Sequence, residues 1–230
     1  MKKLEISKND IIYNLEQIRK HINDVNKNVI IIAVVKANGM GLGLIEYSKF
    51  LIQNGIEILA VANVEEAIAL REAGIDSEIL MMSPVSLKKE LQLLVINDIT
   101  ITIGSLNELE LAEETSKDLN KKVKAHIKVD TGFGRYGFLY TEKETILETI
   151  KKANSINICG MFTHFSNAIS EKNTVLQFNR FKDVIEFLKE NNCNIPMLHA
   201  SASTAFLKYP NMMLDAVRLR FSYTRKNFSK

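Results

Sequence analysis

No stretch of this 230-residue chain approaches the roughly 20 apolar residues that a membrane-spanning helix requires. The start, Met1-Lys2-Lys3-Leu4-Glu5, lacks the long apolar stretch of a secretory leader. There are only two cysteines, which fits a reducing compartment. Cys159 falls in a strand-like run and reads as a small core residue; Cys193 reads as a loop thiol. The formal net charge is only +3, and the basic residues are spread along the chain, so a concentrated nucleic-acid footprint is missing. These absences predict a cytoplasmic protein with neither a membrane nor a nucleic acid as partner. The histidines, His21, His126, His164 and His199, are scattered and the cysteines lie far apart, so no metal-ligand spacing is visible. A G-x-S-x-G elbow and a P-loop are also missing. Without a Pro-rich or Gly/Ser-rich linker, the chain reads as one domain.

What is present is alternation. The chain is 46% hydrophobic and 25% charged, the balance of a globular protein long enough to bury a full core. Residues 8–23 carry a helical stripe of Ile11, Ile12, Leu15, Ile18 and Ile22. Strand patterns then fall at 29–36, 58–62, 78–83, 99–103, 123–130, 156–163, 197–200 and 215–219. Helix patterns fall between them at 43–54, 64–73, 86–97, 106–119, 142–153 and 174–191. The seventh connection, near Thr204 to Asn211, has room for at most a helical turn. Strands such as Ile58-Leu59-Ala60-Val61 are apolar on both faces, as in a parallel sheet covered by helices. About eight such units predict an α/β fold of the (β/α)8 TIM type, with an open doubly wound sheet as the alternative.

In such a barrel, chemistry sits where strands end. Lys36 ends the first strand and is followed by glycines at 39, 41 and 43. These let backbone approach a ligand or adopt positive φ. Lys36 reads either as a lysine snorkelling to solvent or as a partly dried amine able to form a Schiff base. Alternation puts His126, Lys128 and Asp130 on one face of the fifth strand, either as a buried Lys–Asp network or as part of a site. Arg135 follows on a tight loop and is a natural carboxylate or phenolate donor. His164 ends the sixth strand, between Phe162 and Phe165. His199, Ser201 and Ser203 end the seventh, and Arg218 lies in the eighth. Most of the charged groups at this mouth are cationic, which suits an anionic ligand.

Five segments, in order, resemble the alanine racemase family. They are Val34-Val35-Lys36-Ala37-Asn38-Gly39-Met40-Gly41-Leu42-Gly43, Lys128-Val129-Asp130-Thr131-Gly132-Phe133-Gly134-Arg135, Thr163-His164-Phe165-Ser166, His199-Ala200-Ser201-Ala202-Ser203 and Asp215-Ala216-Val217-Arg218. Asn63-Val64-Glu65-Glu66-Ala67 with Leu70-Arg71 is similar to the family's second β/α unit. The resemblance implies pyridoxal 5'-phosphate as cofactor and interconversion of L- and D-amino acids, with a small amino acid as substrate. It implies that Lys36 holds the cofactor as a Schiff base and acts as one of two bases. Arg135 would bond the phenolic oxygen and seat the substrate carboxylate. Lys128 would match a lysine carbamylated in some members. His164 would lie against the ring and support Arg218, which faces the pyridine nitrogen. Ser203 would bind the phosphate, and position 40 is also a phosphate-contact position in the family.

The sequence departs from the pattern in places. Met40 stands where the family has tyrosine, Ala202 where it has asparagine, and Arg220 where it has glycine. The resemblance implies a C-terminal β domain whose tyrosine enters the partner subunit's site as the second base. It therefore implies a homodimer for full-length members and leaves the state of this shorter chain open. The expectation is a barrel domain over 1–218, incomplete at its C-terminus, and an atypical tail over 219–230 from a truncated or frameshifted product with impaired activity. Two other readings stand beside the racemase: a non-catalytic pyridoxal-phosphate homeostasis barrel, favoured by length, and a decayed fragment.

Overall fold

The computed structural model describes residues 5–26 and 28–220. The outer helix α1 (Lys8–Asn23) opens the chain, with the Ser7 hydroxyl accepting from the Asp10 N–H as N-cap. Strands β1 (Ile30–Val34), β2 (Ile58–Val61), β3 (Glu78–Met81), β4 (Ile101–Ile103) and β5 (Val123–Asp130) follow. A two-residue strand β6 (Phe138–Leu139) pairs only with β5. Strands β7 (Ile156–Phe162), β8 (Leu198–Ala202) and β9 (Ala216–Leu219) complete the set. Every pairing is parallel, in the order β3-β2-β1-β9-β8-β7-β5-β4. The two ends of that series meet: Leu80 bridges Thr100, with Met81 N–H on Thr100 O and Thr100 N–H on Ile79 O. The sheet therefore closes into an eight-stranded barrel, and the open-sheet alternative falls.

Helices α3 (Leu44–Gln53), α4 (Val64–Glu72), α5 (Lys88–Ile96), α6 (Leu106–Leu119), α7 (Lys143–Lys152) and α8 (Glu171–Glu190) connect successive strands. The seventh connection is short, as its sequence implies, with α9 (Ser203–Lys208) and a 3-10 turn (Pro210–Met212). The Asn63 and Ser105 side chains cap α4 and α6 by accepting from the N–H three residues on. At the end of α4, Arg71 donates to the carbonyls of Ser77, Asn97 and Asp98, stitching the second unit to the third.

Period-2 alternation sorts the strand residues into two layers. Ala33, Val35, Leu59, Val61, Ile127, Val129, Val217 and Leu219 belong to the core between barrel and helices. Ile32, Val34, Ile58, Ala60, Leu80 and Ala216 form a second cluster inside the barrel. On the β5–β7–β8 side the interior is polar instead, with His126, Lys128, His199 and Arg218 all buried. Leu219, the last residue of the 215–219 strand pattern and the first of the expected tail, is the last residue of β9. It pairs with Ala33 and is buried. Residues 221–230 of that expected tail lie outside the described residues.

Helix α1 belongs to the ring of helices. Its Arg19 donates to Asn54 O beyond α3, and its His21 ring meets Phe206 of α9 edge-on at 4.9 Å. Ile11, Leu15, Ile18 and Ile22 are buried in the same core as Ala33 and Val217. Ile12 of the expected stripe is only half-buried, and Asn14 takes the inner position instead. Leu15→Ala is expected to lower unfolding free energy by about 2–5 kcal/mol, read as a lower denaturation midpoint at unchanged denaturant slope. An unchanged midpoint would show that α1 does not dock.

Candidate active site

The C-terminal ends of the strands surround a cavity of about 580 Å³, within the usual size range of small-ligand pockets. Its wall includes Lys36, Arg135, Tyr136, His164, Ser203, Thr204, Arg218 and Arg220, and among the described residues no aspartate or glutamate. Cations without acids make this a site for an anion.

Lys36 is half-buried and lies two residues beyond β1, not on it. It opens a five-residue turn, α2 (Lys36–Met40), whose residues Ala37, Asn38, Gly39 and Met40 have φ of 56°, 55°, 62° and 57°. This is a left-handed turn. It disfavours L-residues by roughly 1–2 kcal/mol each, so other contacts must hold it. Gly41 and Gly43 N–H both donate to Asn38 O, and Leu44 N–H donates to Asn38 Oδ1 at 3.0 Å. Asn38 N–H donates to Glu66 Oε1 of α4 at 2.9 Å. A Cβ on Gly39 would press on Leu44 backbone and Tyr47 at 3.3 Å, which explains glycine there. The glycines were legible as positive-φ positions; Ala37, Asn38 and Met40 sharing that conformation was not. Met40, a candidate cofactor contact in the sequence, is half-buried and does not form part of the cavity wall. It sits at the far end of the turn from Lys36.

After β5 the Asp130 carboxylate organises the next loop by accepting four backbone N–H groups, from Gly132, Phe133, Gly134 and Arg135. Burial raises its pKa, but those bonds and the charge of Lys128 outweigh burial, and the net shift is downward. Arg135 emerges from this loop with its guanidinium 4.6 Å from the Phe133 ring centre and 5.2 Å from that of Tyr136. Lys128 does not pair with Asp130. Its buried Nζ donates to Val129 O at 2.8 Å and Tyr136 O at 3.3 Å, beneath the cavity wall rather than in it. Burial, assisted by Arg218 and Arg135 against Asp130, lowers its pKa to about 7.

Arg218 is buried and makes five hydrogen bonds. It donates to the carbonyls of Thr163 (2.7 Å), Ala200 (3.0 Å) and His199 (3.2 Å) and to Nδ1 of His199 (2.7 Å) and His164 (3.2 Å). A guanidinium only donates, so both Nδ1 atoms must accept and both rings are neutral with their proton on Nε2. The electrostatics agree: burial, then Arg218, depresses His164 to about 3 and holds His199 well below its ordinary value. Burial brings Arg218 itself down to about 10. His164 also contacts the Phe133 ring at 5.6 Å. The Ser203 hydroxyl, first residue of α9, accepts from the Arg220 N–H at 3.1 Å.

The fold thus brings Lys36, Arg135, His164, Ser203 and Arg218 to one cavity. Sequence reasoning missed Tyr136, which forms part of the wall and donates to Met82 O. It also missed Glu66, which joins the second unit to the lysine turn. His199 was noticed only as a strand-end residue, although its inward parity on β8 was visible.

The buried neutral histidines make stability depend on pH. His126 is depressed to about 4 and His164 to about 3, whereas unfolded histidines protonate near 6.5. Below that value the unfolded chain binds protons that the native chain refuses, so stability must fall as the solution is acidified. Denaturation midpoints are expected to decline from about pH 6.5 towards pH 4. His164→Asn should flatten that decline, and equal slopes in both proteins would refute the assignment.

The family profile "Alanine racemase, N-terminal domain" matches residues 6–219. An alanine racemase of Methanococcus maripaludis is 40% identical over 219 residues, covering 93% of this chain and 57% of that protein. One of Clostridium novyi is 37% identical over 211 residues, covering 89% and 54%. The structure of an alanine racemase of Clostridium difficile in complex with cycloserine superposes with a TM-score of 0.88 at 32% identity, covering 94% of this chain and 59% of that one. The chain therefore spans somewhat more than half the length of the curated relatives it matches.

Proposed function

The chain belongs to the alanine racemase family, through that family's N-terminal domain, and we propose on this premise that it is the cofactor-bearing barrel of a pyridoxal-phosphate-dependent amino-acid racemase. One observation carries the reading. The cavity wall combines a lysine amine with a buried arginine whose hydrogen bonds go to carbonyls and neutral imidazoles, and among the described residues the wall has no carboxylate. A phosphorylated pyridine ring fits such a wall. Ser203 and Thr204 would hold its phosphate through their hydroxyls among the cations of the wall, and Arg218, which has no easily released proton, would face its ring nitrogen.

Lys36 is the residue that would hold the cofactor covalently, with His164, Ser203 and Arg218 around the ring and phosphate. When bound, pyridoxal phosphate supplies the electron sink for a carbanion at the substrate Cα. Arg135, stacked on Phe133 and Tyr136, binds the substrate carboxylate. The Lys36 amine takes or returns the Cα proton on one face. Inversion requires an acid–base group on the opposite face as well, and the family pattern assigns that group to a further domain. The Arg218–imidazole bonds keep His164 neutral, so no second acid beside Arg218 protonates the ring nitrogen. Substrate is an amino acid, with alanine as the family's example, and the protein acts in the cytoplasm. A homodimer follows from the same reading.

The purified protein is expected to bind pyridoxal phosphate with visible absorbance, and borohydride should fix the cofactor to Lys36 as a secondary amine seen by peptide mass. Lys36→Ala should be colourless. A wild-type chain that cannot be loaded would sink the cofactor reading. Racemisation assays across amino acids then separate the racemase from the second reading, a pyridoxal-phosphate carrier without catalysis. Among the described residues of the wall Lys36 is the one lysine, which favours that alternative.

Lys128 supports one further proposal within this site. Its pKa of about 7 leaves much of the amine neutral at pH 8, and a neutral amine adds carbon dioxide to give a carbamate and a proton. The carbamate would lie beneath Arg135 and orient it. Labelled bicarbonate should give a carbamate carbon resonance that Lys128→Gln abolishes; a resonance surviving in that variant would place the modification elsewhere.

A further inference from the structure

Arg135 is exposed at the cavity mouth, and among the described residues no carboxylate pairs with it. A free arginine in that setting spreads over many rotamers, and a ligand that needs one of them binds more weakly by the entropy lost. Two aromatic rings narrow the choice. The Phe133 and Tyr136 ring centres lie 4.6 and 5.2 Å from the guanidinium carbon. A planar, delocalised cation can rest on such faces and keep its N–H donors for a ligand.

The two rings are not equivalent. Phe133 belongs to the loop gathered by Asp130 and is carried by the same backbone as Arg135. Tyr136 reaches elsewhere. Its hydroxyl donates to Met82 O, just beyond β3. Met82 is itself fixed, since its N–H donates to Val61 O at the end of β2 at 3.0 Å. The phenol therefore passes over the β4 position and ties the arginine loop to a second part of the barrel. A phenol has one proton to give and lone pairs to accept with. The proton goes to Met82, and the oxygen takes a hydrogen bond from Arg135; burial pushes the phenol pKa up, against that bond and the charges of Arg135 and Arg218. The backbone of Tyr136 is anchored as well. Lys128 Nζ donates to its carbonyl at 3.3 Å and lies 5.2 Å from its ring centre. The next residue, Gly137, packs so closely on β5 that a Cβ there would lie 2.7 Å from Lys128 O. The tether is invisible in the sequence because its two ends are 54 positions apart.

We propose that Tyr136 is a positioning residue for substrate recognition: its ring and its tethered hydroxyl hold the Arg135 guanidinium in the orientation that receives the substrate carboxylate. The proposal rests on the reading of Arg135 as the carboxylate-binding residue. Tyr136 acts through Arg135 and carries no proton in the reaction. A tyrosine that only supported the loop would matter equally to every ligand of the cavity. A tyrosine that positions Arg135 matters to ligands that carry a carboxylate and not to those that lack one.

The full chain is loaded with pyridoxal phosphate, with loading read from its visible absorbance, and titrated at one bicarbonate concentration with D-alanine or with D-alaninamide, which lacks the carboxylate. Affinities are read from the spectral change. Tyr136→Phe keeps the ring and removes the tether, and should weaken alanine binding about 2- to 10-fold, the net worth of a hydrogen bond. Tyr136→Leu removes the ring as well and should weaken it by a further factor of about 2 to 5. Alaninamide should bind both variants as it binds the wild type. Folding of each variant is checked by its far-ultraviolet circular dichroism. Unchanged alanine affinity in both variants overturns the proposal, and so does an equal loss for alanine and alaninamide. A second measurement needs neither cofactor nor substrate: ¹⁵N relaxation of the Arg135 side-chain Nε–H should report an ordered guanidinium in the wild type and a mobile one in Tyr136→Leu. A guanidinium equally mobile in both overturns the proposal. A chain that cannot be loaded refutes the cofactor reading, and the Arg135 relaxation still decides whether Tyr136 holds the guanidinium.

Discussion

The guanidinium of Arg218 sets the protonation of everything around it. It is buried on β9 and gives all its described hydrogen bonds to carbonyls and imidazoles. Because it can only donate, it dictates where the protons of His164 and His199 sit, and through His199 that of His126. One residue in the last barrel strand thus fixes the tautomers of three side chains on β5, β8 and the loop after β7. The cost of burying an arginine among neutral groups is visible in its lowered pKa. The barrel offsets that cost with three carbonyls, two within β8 and one just after β7, that strand pairing brings beside it.

The two halves of the barrel interior divide the work. On the β1–β2–β3 side the interior is apolar, packed by Ile32, Val34, Ile58, Ala60 and Leu80. That half is a rigid wall. On the β5–β7–β8 side the same inward positions carry lysine, histidine and serine. Catalytic barrels keep chemistry at the strand ends, yet here polar residues reach from the mouth through His199 to His126, deep in the barrel.

Much of this was legible in the sequence. Each barrel strand lies within a residue or two of its apolar run, because strands buried on both faces leave few competing patterns. The inward parity of His126, Lys128 and Asp130 followed from period 2. Three features were not legible. The Lys128–Asp130 pair suggested by that parity is absent, since Asp130 is claimed by four local N–H groups that no periodicity reveals. The turn at Lys36–Met40 is left-handed at alanine and methionine as well as at glycine, held by bonds to Asn38 from residues 41–44 and by the Asn38 bond to Glu66. Cys159 looked like a core residue on an ordinary strand, whereas it is the extra residue of a bulge in the β5–β7 pairing and is only partly buried. Local pattern fixes elements; partners on other strands fix side-chain roles.

The Asn38–Glu66 bond has a consequence for the order of events during synthesis. Twenty-eight residues separate the two, and Glu66 is in place only once β2 has paired with β1 and α4 has formed. Until then nothing from the second unit restrains the left-handed winding after Lys36, and the nascent chain favours the right-handed alternatives. The Lys36 amine therefore takes its place at the cavity only when the second β/α unit has docked.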